Sequence, residues 1–182
     1  MIPAKKTTVA TAAGLAIACA FIAPWEGLWT TAKVDTVGTG KPLTWCYGET
    51  LGPDVKPGER FTKAECDAKL KARLPWYDTQ IGLCIHTDLP AKTRAAFISF
   101  AYNVGPHAFC TSAIPKRVEA GDLVGACNAI LPYNHAQGHV VKGLTNRRYA
   151  ERDLCLEGLQ EPKPVATPAP KKTFVQKFKE LF

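Results

Sequence analysis

The chain has 182 residues, 46% of them hydrophobic, with 23 Lys and Arg against 16 Asp and Glu, for a net charge of +7 and a pI near 9.1. That length holds one compact domain with a real core plus appendages, and the charge suits an acidic partner, anionic lipid or an acidic cell-wall polymer. Nucleic acid is excluded as a partner, because zinc-finger spacing, an RNP-type aromatic strand and a long basic helix are all missing.

The first element is an apolar run, Thr7 to Trp25 (TTVATAAGLAIACAFIAPW), 19 residues without a charge, preceded by Lys5 and Lys6. At about 1.5 Å per residue it just crosses a bilayer core of about 30 Å. Ala, Thr and Gly outnumber Leu, Ile and Phe in it, so it should hold a membrane loosely, with the lysines keeping the N-terminus in the cytoplasm. The competing reading is a cleaved signal peptide over residues 1–20, with Ala18-Cys19-Ala20 as its site. A lipoprotein fits less well, since Ala16 stands where the lipobox wants Leu.

Residues 33–50 hold the strand candidates, Val34, Val37 and LTWCY, punctuated by Gly38, Gly40 and Pro42. The VGTGK stretch lacks the spacing and the following Ser or Thr of a phosphate-binding loop, so Gly38 and Gly40 are read as a hairpin turn. Thr62-Lys-Ala-Glu65 is a capping box, and the helix it opens should run past Leu74 and kink near Pro75. Pro90 fits the first turn of the next helix, with Ala95, Ala96, Phe97, Phe100, Ala101 and Val104 as its core side and Gly105 as its end. Short helices follow near 112–120 (stopped by Gly121), 122–131 (capped by Asp122) and 145–157 (stopped by Gly158).

Four prolines between Pro162 and Pro170 make a stiff linker, and Lys171–Phe182 then sets Phe174, Phe178, Leu181 and Phe182 at helical spacing against lysines. From 162 to 182 there are five lysines and one glutamate, so +4 of the +7 lies in this tail. The organisation expected is 1–25 a releasable membrane segment whose end also supplies the first helix, 26–160 the catalytic domain, 161–170 the linker and 171–182 a basic amphipathic tail.

Seven cysteines, at 19, 46, 66, 84, 110, 127 and 155, form no C-x-x-C pair, which argues for an oxidising compartment and disulfides over a metal site. Six lie in the globular part and allow 15 pairings, among which sequence cannot choose; we carry forward 46–66, 84–110 and 127–155, leaving Cys19 free. Cys46 reads first as half of a structural bridge and second as a redox switch with Cys19. The histidines 86, 107, 135 and 139 read as loop and surface residues, and His135-x-x-x-His139 has no third metal ligand. Neither a metal nor a cofactor is expected.

Glu26 and Asp35 are the candidate pair of carboxyl groups. Glycoside cleavage needs one carboxylic acid to protonate the leaving oxygen and one carboxylate to activate water. WEGL, Asp35, TWCYGET, FTKAEC, AYNVG and GLTNRR-x-x-ER stand in this order, and together they resemble the phage-type lysozymes, the muramidase endolysins, over roughly residues 24–158. The resemblance extends to the signal-arrest-release endolysins, in which a weak membrane segment exports the enzyme and later lets go. It implies a mainly helical α+β fold: a small β-sheet lobe, a long connecting helix and a helical C-terminal lobe, with the cleft between lobes. It makes Glu26 the general acid, Asp35 the residue that positions water and Thr44 a holder of that water. The reaction it implies inverts the anomeric centre at the bond between N-acetylmuramic acid and N-acetylglucosamine of peptidoglycan.

The resemblance sets Asn103 at the cleft as a substrate-binding candidate, a helix-terminal hydrogen bond being the other reading of it. Arg147 is read as a second substrate-binding candidate, and it or Arg148 as a partner that fixes the Glu26 rotamer. Two departures stand out: VGTGKPL lengthens the segment between Asp35 and Thr44, and Glu49 occupies a position where many relatives have His. A monomer at the host inner membrane, N-terminus in, and later in the periplasm is the expected form. The rival of another class is a non-catalytic wall-binding or membrane-disrupting protein.

Overall fold

The computed structural model describes residues 10–35, 43–50 and 54–161. The expectations for Lys5 and Lys6, Val37, the Gly38–Gly40 turn, the proline linker and the basic tail fall outside them.

Helix α1 (Ala12–Glu26) is capped by the Thr11 side chain, which accepts from the Gly14 N–H. Only one stripe of it, Gly14, Ala18 and Ile22, is buried, and these residues recur every fourth position as a docked helix requires. Gly27, at φ +69°, turns the chain into strand β1 (Trp29–Val34), which pairs antiparallel with β2 (Leu43–Cys46). Strand β1 begins at Trp29, four residues earlier than the sequence suggested. The segment at Arg60 bridges its outer edge, with Phe61 N–H donating to the Thr30 carbonyl at 2.8 Å.

Helix α2 (Lys63–Gly82) opens on the Thr62–Glu65 capping box and is the long connector, about 30 Å at its 20 residues. It continues through Pro75, which is exposed and forfeits only the bond to one carbonyl a turn earlier. Helix α3 (Ala91–Val104) is the centre of the core, buried at every residue from Thr93 to Ala101 and packed on α1, α2 and α7. Pro90 stands just before it as the cap residue, and Gly105 ends it at φ +89°.

Three short helices follow: α4 (Pro106–Thr111), which the sequence reading missed, α5 (Ala113–Glu119) and α6 (Leu123–Asn128), the last capped by Asp122 and three residues shorter than expected. A two-residue hairpin, β3 (His135–Ala136) with β4 (His139–Val140), turns at Gln137 and Gly138. Helix α7 (Lys142–Gln160) then closes the fold on α3.

Helix α7 begins earlier and ends later than the predicted 145–157, so Gly158 is not its stop. Gly158 is buried inside it. A Cβ there would lie 2.5 Å from Thr93 Oγ1 and 2.6 Å from the Thr93 backbone N. The glycine serves the close crossing of α3 and α7, a tertiary demand that overrides helix propensity. In an open helix Gly→Ala gains about 1 kcal/mol, but here overpacking against backbone costs about 1–3 kcal/mol. Gly158→Ala should therefore lower the melting temperature in a thermal scan; an unchanged or raised value would mean the helices separate freely.

The six globular cysteines pair as Cys46–Cys66, Cys84–Cys110 and Cys127–Cys155, and Cys19 is free. The bonds tie β2 to the start of α2, the turn after α2 to α4, and α6 to α7. Each contributes about 2–4 kcal/mol. The N-terminal arm is fastened as well: the Ala10 N–H donates to Asp78 Oδ2 at 2.7 Å, and Asp78 is itself a buried partner of Arg94 at 2.7 Å. Among the described residues no helix is long and apolar enough to cross a membrane.

Candidate active site

Glu26 is the last residue of α1, where the helix stops against Gly27. Its side chain keeps 17% of its exposure, and Arg147 Nη1, itself on a side chain 5% exposed, donates to Glu26 Oε1 at 2.7 Å. On the other side lies the turn after β2: a Cβ on Gly48 would come within 3.6 Å of Glu26 Oε2, and Gly48 takes φ +77°. That turn is itself held, because the Tyr102 hydroxyl at the end of α3 donates to the Tyr47 carbonyl at 2.7 Å. Burial, and then the Glu26 charge, push the Tyr102 hydroxyl well above its ordinary pKa, so it stays a donor. Tyr102 also packs on Tyr77, ring centroids 4.9 Å apart.

The hairpin places the other two expected residues. The register pairs Trp29 with Cys46, Lys33 with Thr44 and Val34 with Leu43. Asp35, half-buried, follows directly on the Val34–Leu43 pair, so it and Thr44 stand at one end of the hairpin. Glu26 stands at the other, beyond the Trp29–Cys46 pair. Asn103 is exposed on α3, one helical turn past Ser99. Glu49 is the ion-pair partner of Arg73 on α2.

Beneath Glu26 lies a group of charges that sequence reasoning did not assemble. Arg147 Nε donates to Glu151 Oε1 at 3.1 Å and Arg147 Nη2 to the Ser99 carbonyl at 3.4 Å. Glu151 is fully buried; its Oε1 also accepts from Ser99 Oγ at 2.7 Å and Arg148 Nη2 at 3.1 Å. Arg148 Nε and Glu151 Oε2 stand 2.8 Å apart as an ion pair without hydrogen-bond alignment. Burial raises the Glu151 carboxyl's pKa while Arg148 and Arg147 pull it back. Every neighbour donates, so the site is built for the anion. The signal was present in RR-x-x-ER: Arg147 and Arg148 lie four and three residues before Glu151, the spacings that meet on one helix face.

The remaining candidates sit apart. His107, His135 and His139 are exposed, and His86 is half-buried with its backbone N–H donating to Glu119 Oε1 at 2.7 Å. Cys46 is bonded to Cys66. Cys19 lines an open groove of about 770 Å³ between the outer face of α1 and the start of α2, with Ala16, Ala20, Pro24 and, opposite, Asp67 and Lys71. Burial, then Asp67, raise the Cys19 thiol's pKa. Glu26 itself does not line that groove, although the neighbouring Gly27 and Leu28 do.

The sequence model of the phage lysozymes matches residues 23–151. The chain belongs to the phage lysozyme family. It is thus a lysozyme, a glycoside hydrolase of the muramidase kind, and its substrate is peptidoglycan. The SAR-endolysin of Bacteriophage PS119 is 43% identical to this lysozyme over 135 residues, covering 74% of this chain and 78% of that one. The endolysin from Escherichia coli O157:H7 phage FAHEc1 superposes with a TM-score of 0.69 at 26% identity, over 85% of this chain and 97% of that one. The P1 phage endolysin Lyz has been solved in two forms. Its active form gives a TM-score of 0.68 at 26% identity, over 82% of this chain and 86% of that one. Its secreted inactive form gives 0.51 at 25% identity, over 82% and 96%.

Proposed function

We propose that this lysozyme hydrolyses the β-1,4 bond between N-acetylmuramic acid and N-acetylglucosamine, with Glu26 as general acid. The carboxyl would give its proton to the glycosidic oxygen as the bond to the anomeric carbon breaks. Water, positioned by Asp35 and held by Thr44, would attack the opposite face, its proton passing to Asp35, so the product is inverted. The observation that carries this reading is the Glu26–Arg147 pair at 2.7 Å: a half-buried carboxyl, fixed in one rotamer at a helix end. Asn103, exposed above Ser99, is the better candidate to touch the saccharide, since Arg147 already engages Glu26, Glu151 and the Ser99 carbonyl. Full-length protein in its released form, added to purified peptidoglycan, should liberate reducing ends at N-acetylmuramic acid. Folded protein that liberates none overturns the reading.

Export by the N-terminal segment, N-terminus in, with later release from the inner membrane to the periplasm, completes the proposal. What supports it is that α1 is apolar on every face although only Gly14, Ala18 and Ile22 are buried in the docked state. Ala16, Ala20 and Pro24 are exposed in the docked state, and a helix that only packed on α3 would not need them apolar. The SAR-endolysin relative and the greater likeness to the active form of P1 Lyz point the same way. Cleavage after residue 20 would take Gly14 and the fully buried Ala18 out of the core, which speaks against a signal peptide.

The lysine-rich tail is read as a contact with anionic inner-membrane lipid or lipopolysaccharide, while the enzyme itself acts as a monomer. Deleting 162–182 should leave cleavage of purified peptidoglycan intact and weaken co-sedimentation with anionic vesicles. Undiminished co-sedimentation would leave the tail as a spacer.

A further inference from the structure

The general-acid reading of Glu26 carries a physical difficulty. An acid must hold a proton until it gives it away, yet the Glu26 carboxyl has a guanidinium 2.7 Å from it. Arg147 does not face Glu26 alone. Its Nε is given to Glu151, so one guanidinium is divided between two carboxyl groups. Glu151 in turn is held by Ser99 Oγ and by Arg148, whose guanidinium also lies over the Phe100 ring at 4.9 Å. With both acids ionised, the four charges cancel: Glu26 and Glu151 against Arg147 and Arg148.

We propose that Glu151, seated by Arg148 and Ser99, is a positioning residue for the reaction: it fixes the Arg147 guanidinium and shares its charge, so that Arg147 holds Glu26 in one orientation. Glu151 touches neither substrate nor solvent, being fully buried, and acts only through Arg147. The inference rests on the general-acid reading of Glu26.

The charged and titratable groups around Glu26 come from each packed element. Arg147 faces it from α7, with Arg148 and Glu151 behind; Tyr102 reaches in from α3; Glu49 and its partner Arg73 stand beside Tyr102 from the β2 turn and α2. Of these, Glu151 is the one anion bonded directly to Arg147 besides Glu26. Removing its charge while keeping its shape leaves the surroundings of Glu26 more positive. Removing Arg148 does the reverse.

The test is the pH profile of cleavage of a soluble peptidoglycan fragment by the whole protein, with folding checked by circular dichroism. Glu151→Gln should move the midpoint of the alkaline limb down by about one pH unit and lower kcat with KM unchanged. Arg148→Met should move the same midpoint up. If Glu151→Gln does not fold, the upward shift in Arg148→Met carries the test alone. Folded variants that keep the wild-type midpoint overturn the proposal, whatever their kcat. Glu26→Gln, assayed alongside, separates the two levels. If it is inactive and the midpoints stay fixed, only the role of Glu151 fails; if it is active, the general-acid reading fails first.

Discussion

Glu26→Gln should leave the protein folded and reduce cleavage of purified peptidoglycan by about 10²–10⁴-fold, the range that general acid catalysis supplies. The amide has the carboxyl's shape and can still accept the Arg147 Nη1 hydrogen bond, so the loss would report chemistry and not misfolding. The transferable proton is what is missing. Some stability should go too, because Arg147 and Arg148 would then share only Glu151. A melting curve and circular dichroism spectrum would separate that effect from turnover. Asp35→Asn should likewise lose most activity in a folded protein, since an amide cannot take the proton of the attacking water. Near-normal activity in folded Glu26→Gln would remove the carboxyl from the mechanism and with it the case for inversion by this pair.

The parts of this site that were legible in sequence are those set by local rules. Thr62 and Glu65 satisfy each other's backbone amides at short range, so α2 was readable from four letters. Glu26 and Gly27 mark a helix end directly, and the apolar positions of α3 fall where a buried helix needs them. What was not legible is set by meetings across the chain. Arg147 reaches Glu26 over 121 residues, and Tyr102 reaches the Tyr47 carbonyl over 55. Glu151 carries no local signal of burial, since acidic side chains are almost never fully buried without partners. Its partners are neighbours on its own helix and Ser99 on another, which only the packing of α3 on α7 brings near. Gly158 misled for a related reason: late in a helical pattern it imitates a stop, and the Thr93 backbone that explains it is 65 residues away. The β3–β4 hairpin gave no signal because Gln137 adopts φ +51° at a place where Asn or Gly would have announced a turn.

Protein exported but still held in the membrane should be inactive, and collapse of the membrane potential should release it uncleaved and active. The reason lies in the double use of α1. In the docked state Ala18 and Ile22 are fully buried, Ala10 N–H is bonded to Asp78, and Glu26 is clamped by Arg147. While the same residues span a bilayer, none of these contacts can form: the buried stripe faces lipid, Asp78 loses the amide that caps it, and Glu26 lies at the lipid surface away from Arg147. Fractionation before and after an uncoupler should show full-length protein moving from membrane to periplasm, with muralytic activity appearing in step. A periplasmic species shortened by about 20 residues, and no full-length form, would return the segment to the signal-peptide reading. The exposed side of α1 offers a sharper test. Ala16 and Ala20 face the open groove in the docked state, so larger apolar residues there cost the folded enzyme little. In the bilayer each Ala→Leu buries about three more carbons, worth about 2 kcal/mol. Ala16→Leu with Ala20→Leu should therefore keep purified activity and hold the protein in the membrane after the uncoupler is added. Release at the wild-type rate would mean that the hydrophobicity of α1 does not set the balance between lipid and the α3 surface.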